Sequence, residues 1–166
     1  MMEVGSRESS AREACRDFFG AVREAFDFLT TDFGFSEVET GYRTPECWIL
    51  FRNRTTEVAV TAEPDGEPWV AIEHISWDDG ILQRLGATSL ELLMEELQKN
   101  KKEDEAAAQA MSARVKRKAR HLKEFGAGLL RGDFSLLPKL EERARLNLRR
   151  RNLELFGSEN GETPRS

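Results

Sequence analysis

Residues 125–151 read FGAGLLRGDFSLLPKLEERARLNLRRR, which predicts the end of one helix, a tight corner and the start of another. Gly132 is expected to end the first helix, because glycine enters the left-handed region without a penalty from Cβ. Ser135 is the expected N-cap of the second helix, which puts Pro138 at the third helical position, where its missing N–H costs nothing. Phe134 is expected to pack back on the new helix. The stretch therefore predicts two helices held at a fixed angle.

The helices on either side of this corner are both amphipathic. The first is expected over roughly residues 104–131, with an apolar stripe at spacings of three and four. That stripe consists of Met111, Val115, Ala119, Leu122, Gly126 and Leu129. The inward stripe predicted for the second helix, residues 136–156, consists of Leu137, Leu140, Ala144, Leu148 and Leu155. Leu146 and Leu153 stand opposite, either as lone surface leucines or, with Phe156, as a contact for a second copy or a partner.

The first half of the chain predicts a helix followed by strands. Ser9 or Ser10 is expected to cap a helix that runs to about Thr31 and ends by Gly34. Its apolar stripe, which suits packing on a sheet, consists of Ala11, Cys15, Phe18, Val22, Phe26, Leu29 and Phe33. Strands are predicted over residues 35–42, 47–51, 57–62 and 69–75, and their short connections indicate an antiparallel meander. Residues 76–88 are expected to form a loop, after which Ser89 caps a further helix.

The sequence thus predicts an α+β fold: an N-terminal helix, a four-stranded antiparallel meander sheet, and C-terminal helices packed on that sheet. One domain over residues 10–156 is expected, with a disordered N-terminus at 1–9 and a disordered tail at 157–166. A length of 166 residues suits a single domain.

Composition bears on the cellular location of the protein and on the state of its two cysteines. No apolar run has the length of a membrane span, and the first residues lack the apolar core of a signal peptide, so a cytoplasmic location is expected. Cys15 and Cys47 are then interpreted as two buried thiols, with a bridge from the first helix to the sheet as the open alternative.

No catalytic or metal signature stands out, so a non-enzymatic protein without cofactor or metal is predicted. His74 and His121 lack a second ligand at metal-binding spacing, and the adjacent acids Asp78 and Asp79 do not aim at one point. Neither a nucleophile elbow nor a phosphate-binding glycine loop occurs.

Charge is distributed unevenly along the chain. Residues 1–111 contain 11 Lys/Arg and 23 Asp/Glu, whereas residues 112–151 contain 13 Lys/Arg and 4 Asp/Glu. This asymmetry fits three arrangements: attraction between the two halves within one fold, a basic face for nucleic acid, or an acidic face for a basic partner. The acidic candidates are Glu37, Glu39, Glu57, Glu63, Glu73, Asp78 and Asp79, with Leu146 and Leu153 as apolar partner-binding candidates. The nucleic-acid candidates are Lys116, Arg117, Arg120, Arg149 and Arg150.

Two segments carry a family resemblance: DFLTTDFGF at residues 27–35 and LLRGDFSLLPKL at residues 129–140. Phe28, Leu29, Phe33, Gly34 and Phe35 make up the first match. Together they resemble a family of small bacterial α+β proteins with a late LLxGDFSxxPxL corner, similar in style to immunity proteins of toxin–immunity systems. The resemblance implies a protein-binding module that blocks a basic toxin through its acidic surface. It implies no active site, and it leaves a homodimer through the last helix, or a nucleic-acid-associated role, as alternatives.

Overall fold

The computed structural model describes residues 3–63, 66–98 and 110–157. Within these ranges the elements are α1 Glu3–Ala25, α2 Asp27–Phe33, β1 Ser36–Arg43, β2 Glu46–Arg52, β3 Thr56–Ala62, β4 Trp69–Asp78, β5 Ile81–Ser89, α3 Leu90–Gln98, α4 Met111–Phe125, α5 Ala127–Leu130 and α6 Leu137–Phe156. The predicted α+β class is confirmed.

The sheet is antiparallel with strands in the order β1-β2-β3-β4-β5, so the predicted meander is confirmed but its strand count is wrong. The predicted loop at 76–88 is instead the end of β4, a two-residue turn and most of β5. Asp79 and Gly80 form that turn with φ of 49° and 75°. Two residues with positive φ match the twist of a tight hairpin, which is why the chain turns back here.

The inner face of the sheet forms the core. Its apolar side chains on β2, β3 and β4 are at most 4% exposed: Cys47, Ile49, Phe51, Val58, Val60, Ala62, Val70 and Ile72. α1 packs on β2 and α4, while α3 packs on β4, β5, α4 and α6. The predicted stripe of the first helix is confirmed at Cys15, Phe18 and Val22, which are buried. Each such large side chain contributes about 1.5–3 kcal/mol when fully buried.

A disulfide joins Cys15 of α1 to Cys47 of β2, with the two Cα atoms 5.7 Å apart. The interpretation as two free thiols is therefore wrong, and the alternative bridge is what the structure contains. Both residues are 2% exposed, so the bond lies inside the core. It fixes the N-terminal helix to the inner face of the sheet.

The N-terminal helix has different bounds from those predicted. α1 begins at Glu3, within the segment for which the sequence predicts disorder, and not after a cap at Ser9 or Ser10. It ends at Ala25, and Phe26 (φ −97°, ψ 13°) separates it from α2. The predicted stop at Gly34 is confirmed, since Gly34 caps α2 in the left-handed conformation.

The corner that precedes α6 is partly as predicted. Gly132 has φ of +87°, as expected for a helix terminator. The cap at Ser135 is wrong, because the Asp133 carboxylate accepts a hydrogen bond from the Ser135 backbone N–H (3.1 Å) and the helix begins only at Leu137. Pro138 therefore occupies the second helical position. The short Asp133 side chain organises the turn two residues before the helix.

Two further helix predictions have different outcomes. The helix expected over 104–131 is interrupted at Gly126 between α4 and α5, and its predicted start lies outside the described residues. The cap at Ser89 is confirmed, because its hydroxyl accepts from the backbone N–H of Leu92 at 3.2 Å. The predicted tail lies outside the described residues except for Gly157, which caps α6.

Only the first part of α6 faces the core. Leu137 and Leu140 are buried, but Leu148 and Leu155 are 58% and 67% exposed, so the predicted inward stripe is wrong beyond Ala144. The helix continues past the sheet that its first turns cover.

Candidate interaction surfaces

The outer side of the sheet carries a band of apolar and small residues, which we call the open face. In one row Gly41, Trp48, Thr61 and Trp69 lie on neighbouring strands, and in the next Leu50, Ala59 and Ala71 do. All are half-buried or exposed, in contrast to the inner face, and Trp69 is 51% exposed. No element among the described residues therefore covers this part of the sheet.

Trp48 lies flat on the open face. Its ring covers Gly41, where a Cβ atom would overlap the ring carbons. The indole Nε1 donates a hydrogen bond to Glu39 Oε1 at 2.9 Å, which fixes the ring direction. Glycine is needed at position 41 for this close approach.

An ion cluster occupies the middle of the open face. The Glu57 carboxylate, 6% exposed, accepts from Arg52 Nε (2.9 Å) and from Arg84 Nη1 (2.9 Å), and Arg84 also pairs with Glu73. Burial tends to raise the pKa of Glu57, but the hydrogen bonds and charges of Arg84 and Arg52 outweigh it and hold that pKa below its usual value. The Arg52 guanidinium lies 5.8 Å from the Trp77 ring centroid. The third tryptophan thus continues the open face beyond the cluster.

A groove runs between the edge of the open face and α6. It has a volume of about 800 Å³ and is lined on the sheet side by Trp69, Ala71 and Ala87. Leu148 and Arg151 of α6 form part of the opposite wall. Glu91 and Glu95 of α3 also line it, so the groove carries both signs of charge around an apolar floor.

Most acidic candidates are engaged within the chain. Glu37 is held by Arg23 through hydrogen bonds of 2.9 and 2.7 Å, which lower its pKa. Glu39 binds Trp48, and Glu57 and Glu73 belong to the ion cluster. Asp78 and Asp79 are exposed at the β4–β5 turn, next to Trp77 and without a partner among the described residues.

The basic candidates separate onto two helices. Lys116 and Arg120 are exposed on α4, whereas Arg117 is tied to Glu67 at 2.9 Å. Arg149 and Arg150 are exposed on α6, and Arg150 lies at the groove. Apart from Arg117, these cations have no acidic partner within the described part of the chain. Leu146 and Leu153 are 53% and 38% exposed on α6.

In the described part of the chain both histidines pack near aromatic rings, His74 beside Phe134 and His121 beside Phe125. His74 stacks on Phe134 with ring centroids 3.7 Å apart, which places it beside the corner before α6. In the described ranges, no group of three His, Cys, Asp or Glu residues could hold a metal ion. In the same residues, no helix combines the length and apolar character needed to cross a membrane.

Sequence reasoning missed the residues that make the open face distinctive, namely Gly41, Trp69 and Trp77. A signal for them exists, because Trp69 and Trp77 are separated by an even number of residues on one strand. Even spacing places both rings on one face of a sheet. Gly41 could not be recognised, because its role depends on the neighbouring strand.

No protein-family model, curated protein or solved structure was found to match this chain. The resemblance to small bacterial immunity-like proteins therefore stays a prediction, and function has to be argued from the surfaces described above.

Proposed function

We propose that this chain is a non-enzymatic protein-binding module that holds its partner on the open face. The observation that carries the proposal is that all three tryptophans of the chain lie on one uncovered side of the sheet. Tryptophan is among the side chains most enriched at the energetic centres of protein interfaces. An exposed apolar band with a polar rim is typical of an interaction site.

The charges around Trp77 narrow the class of partner. Asp78 and Asp79 stand at the adjacent turn without an internal partner, while the cluster around Glu57 is neutralised by its own arginines. A partner with an apolar patch flanked by basic groups complements this arrangement. A basic toxin bound by an immunity protein is one such partner. The contact then centres on tryptophans and the acidic turn, and not on Glu37 or Glu39.

The test combines a genetic and a binding measurement. Each protein encoded beside this gene would be co-expressed with the chain, scored for relief of toxicity, and titrated for direct binding. We expect Trp77→Ala, an exposed site, to weaken binding about thirtyfold or more, since a central tryptophan contributes about 2 kcal/mol or more. Leu97→Ala is the matched control, because Leu97 is 46% exposed on α3, away from the open face. Equal binding by both variants would refute the proposed surface.

Nucleic-acid association is the second candidate function. It is favoured by the exposure of Lys116, Arg120, Arg149 and Arg150, none of which is neutralised by an acid among the described residues. Phosphate binding requires such free cations and weakens steeply with salt. Salt-dependent retention on DNA or RNA, abolished by Arg149→Glu with Arg150→Glu, would replace the protein-binding proposal. Absence of retention would eliminate this second candidate.

A further inference from the structure

The two edge strands of the sheet are protected to different extents. β5 is packed against α6, and a Cβ atom at Gly86 of β5 would lie 3.0 Å from the Leu137 side chain. β1 pairs with β2 on one side, and no described strand lies on its other side. An unpaired edge offers backbone N–H and C=O groups to a further strand. β1 is therefore the edge at which the sheet can be extended.

The regular part of this edge is short and carries both signs of charge. A β-bulge between Glu37 and Glu39 interrupts β1, so its regular edge runs from Glu39 to Arg43. Within this segment Gly41 pairs with Trp48 on the open face, and side chains alternate along a strand. Glu39 and Arg43 therefore lie on the same face as Gly41. The edge thus places an acid and a base at equal distances on either side of a glycine.

We propose that a second copy of this chain pairs its own β1 with this edge. The two β1 strands run antiparallel about a two-fold axis at Gly41, and the two sheets become one continuous sheet. Glu39 of each copy then lies opposite Arg43 of the other, as the two-fold symmetry of most homodimers requires. This inference goes beyond the partner proposed for the open face, because it concerns the edge of the sheet and a second copy of the same chain.

Charge complementarity selects the register of the two strands. Arg43 is exposed and has no acidic partner within the described residues. Glu39 accepts the hydrogen bond from Trp48 through Oε1, which leaves Oε2 for the arginine of the second copy. Opposite charges directly across a strand pair are stabilising, and like charges there are destabilising. An axis at Glu39 or at Arg43 would set like charges against each other, whereas the axis at Gly41 gives two attractive pairs.

The indole of Trp48 adds an apolar contact at the axis. Its ring fills the space above Gly41 that a side chain would otherwise occupy. Directly opposite residues of an antiparallel pair have Cβ positions about 4.5–5.5 Å apart. The ring above Gly41 of one copy therefore meets the ring above Gly41 of the other. Trp48 is half-buried in a single copy, and this aromatic contact covers part of the remaining surface.

The size of the contact sets the expected strength of the dimer. The strand pairing from Glu39 to Arg43 and one indole ring from each copy form a contact smaller than the roughly 800 Å² per partner of stable complexes. Assembly is therefore expected to depend on protein concentration, with single chains and dimers in exchange.

The first test is the mass in solution of the full chain, measured by light scattering at rising concentration. We expect the mass to rise from the 18.9 kDa of one chain to twice that value. Arg43→Glu sets like charges opposite each other and is expected to raise the dissociation constant of the dimer about tenfold or more. Arg120→Glu makes the same charge change at an exposed position of α4 and is the matched control, with assembly unchanged. A single-chain mass for the unmodified protein at every concentration, or equal weakening by both variants, would overturn the proposal.

Charge exchange between two chains tests the register itself. Glu39→Arg alone and Arg43→Glu alone each set like charges opposite each other in their own dimers. A dimer with one chain of each kind restores two pairs of opposite charge. The two variants are therefore expected to assemble more tightly when mixed in equal amounts than either does alone. No gain on mixing contradicts the proposed register.

A cross-linking test locates the axis without charge reversal. Both native cysteines are bonded to each other, so one added cysteine is the only thiol of its chain. Under mild oxidation a mixture of Glu39→Cys and Arg43→Cys chains is expected to form disulfide-linked dimers, because these positions lie opposite each other. Either variant alone is expected to stay unlinked, since its two thiols would be about 13 Å apart along the strands. Linking of a single variant to the same extent as the mixture, or a mixture that stays unlinked, overturns the proposed pairing.

Discussion

The Gly41→Ala substitution tests whether the open face is built as described. A Cβ at position 41 overlaps the Trp48 ring, and because the overlapping atoms belong to a side chain, the indole is expected to rotate off the sheet. Rotation breaks the hydrogen bond from Trp48 Nε1 to Glu39 and exposes the ring face that now covers the glycine. The predicted consequence is a loss of stability together with a changed tryptophan environment.

The magnitude follows from three contributions. Exposing about 50–100 Å² of ring surface costs about 1.3–2.5 kcal/mol at about 25 cal/mol per Å². The lost hydrogen bond costs about 0.5–1.5 kcal/mol. Alanine restricts the unfolded chain and fits a strand better than glycine, which returns about 0.5–1 kcal/mol. The net expectation is a decrease of about 2 kcal/mol in the free energy of unfolding.

Urea unfolding followed by tryptophan fluorescence measures both effects. We expect a lower midpoint and a red-shifted emission in the folded state, because Trp48 is the most protected of the three tryptophans. Gly20→Ala is the control: Gly20 is exposed in α1 with open space around its Cβ position. That variant should gain up to about 1 kcal/mol, since alanine is the better helix former. A Gly41→Ala protein as stable as the parent, with unchanged emission, would refute the arrangement of Trp48 over Gly41.

Three further substitutions test the disulfide, the ion cluster and the corner before α6, which hold these surfaces in place. Cys15→Ala with Cys47→Ala removes the disulfide, which joins residues 32 positions apart. Chemical denaturation should show a decrease of about 3–4 kcal/mol in the free energy of unfolding. Glu57→Gln removes the buried negative charge that Arg52 and Arg84 share and should cost about 1–2 kcal/mol at neutral pH, because Arg84 is 48% exposed and keeps its pair with Glu73. The folded-state pKa of Glu57 is lowered, so its contribution to the free energy of unfolding is present above the ordinary pKa near 4.5 and is lost as pH falls through the folded-state pKa. The unfolding curves of parent and variant should therefore converge in acid. Gly132→Ala forces alanine into a left-handed conformation and should lower thermal stability by about 1–2 kcal/mol, an expectation that an unchanged melting temperature would contradict.

The fold could be predicted where periodicity is strong and local. The stripe of the first helix and the four strands follow from spacings of three, four and two, and each of these elements is present. The fifth strand was predictable in principle from Asp79-Gly80, a typical hairpin dipeptide. It is obscured because the following residues, ILQRLGATS, alternate weakly and include Gly86 beside the Leu85 bulge.

The end of α6 could not be predicted, for a different physical reason. The helical periodicity of 3.6 residues correctly assigns Leu148 and Leu155 to the same side as Leu137. It does not reveal that the surface opposite that side ends near Ala144. How far a partner element extends is a tertiary property, and an amphipathic pattern is the same whether its apolar side meets its own sheet or a second molecule.

The disulfide and the predicted cytoplasmic location imply different redox compartments. Disulfides persist mainly in oxidising compartments and are rare in the cytosol. The cytoplasmic expectation depends on the appearance of the N-terminal residues, while the bond between Cys15 and Cys47 depends on their juxtaposition in the core. Thiol titration of the native protein, purified without reductant, distinguishes the intact disulfide from two reduced thiols. No reactive thiol is expected if the disulfide forms in the compartment where the protein functions.

The charge asymmetry is resolved partly inside the fold. Five cations of the basic segment bind acids of the acidic segment: Arg117–Glu67, Lys118–Glu91, Lys123–Asp32, Lys139–Glu96 and Arg143–Glu95. Of the three arrangements that fit the sequence, attraction between the halves thus accounts for part of the pattern. Each of these pairs has at least one partly exposed member, so its contribution to stability is modest, but each removes a cation from the surface offered to a polyanion. Among the described residues, the exposed cations without an acidic partner include Lys116 and Arg120 on α4 and Arg149, Arg150 and Arg151 on α6. The three tryptophans, in contrast, all lie on one side of the sheet. That contrast is why we place protein binding ahead of nucleic-acid binding.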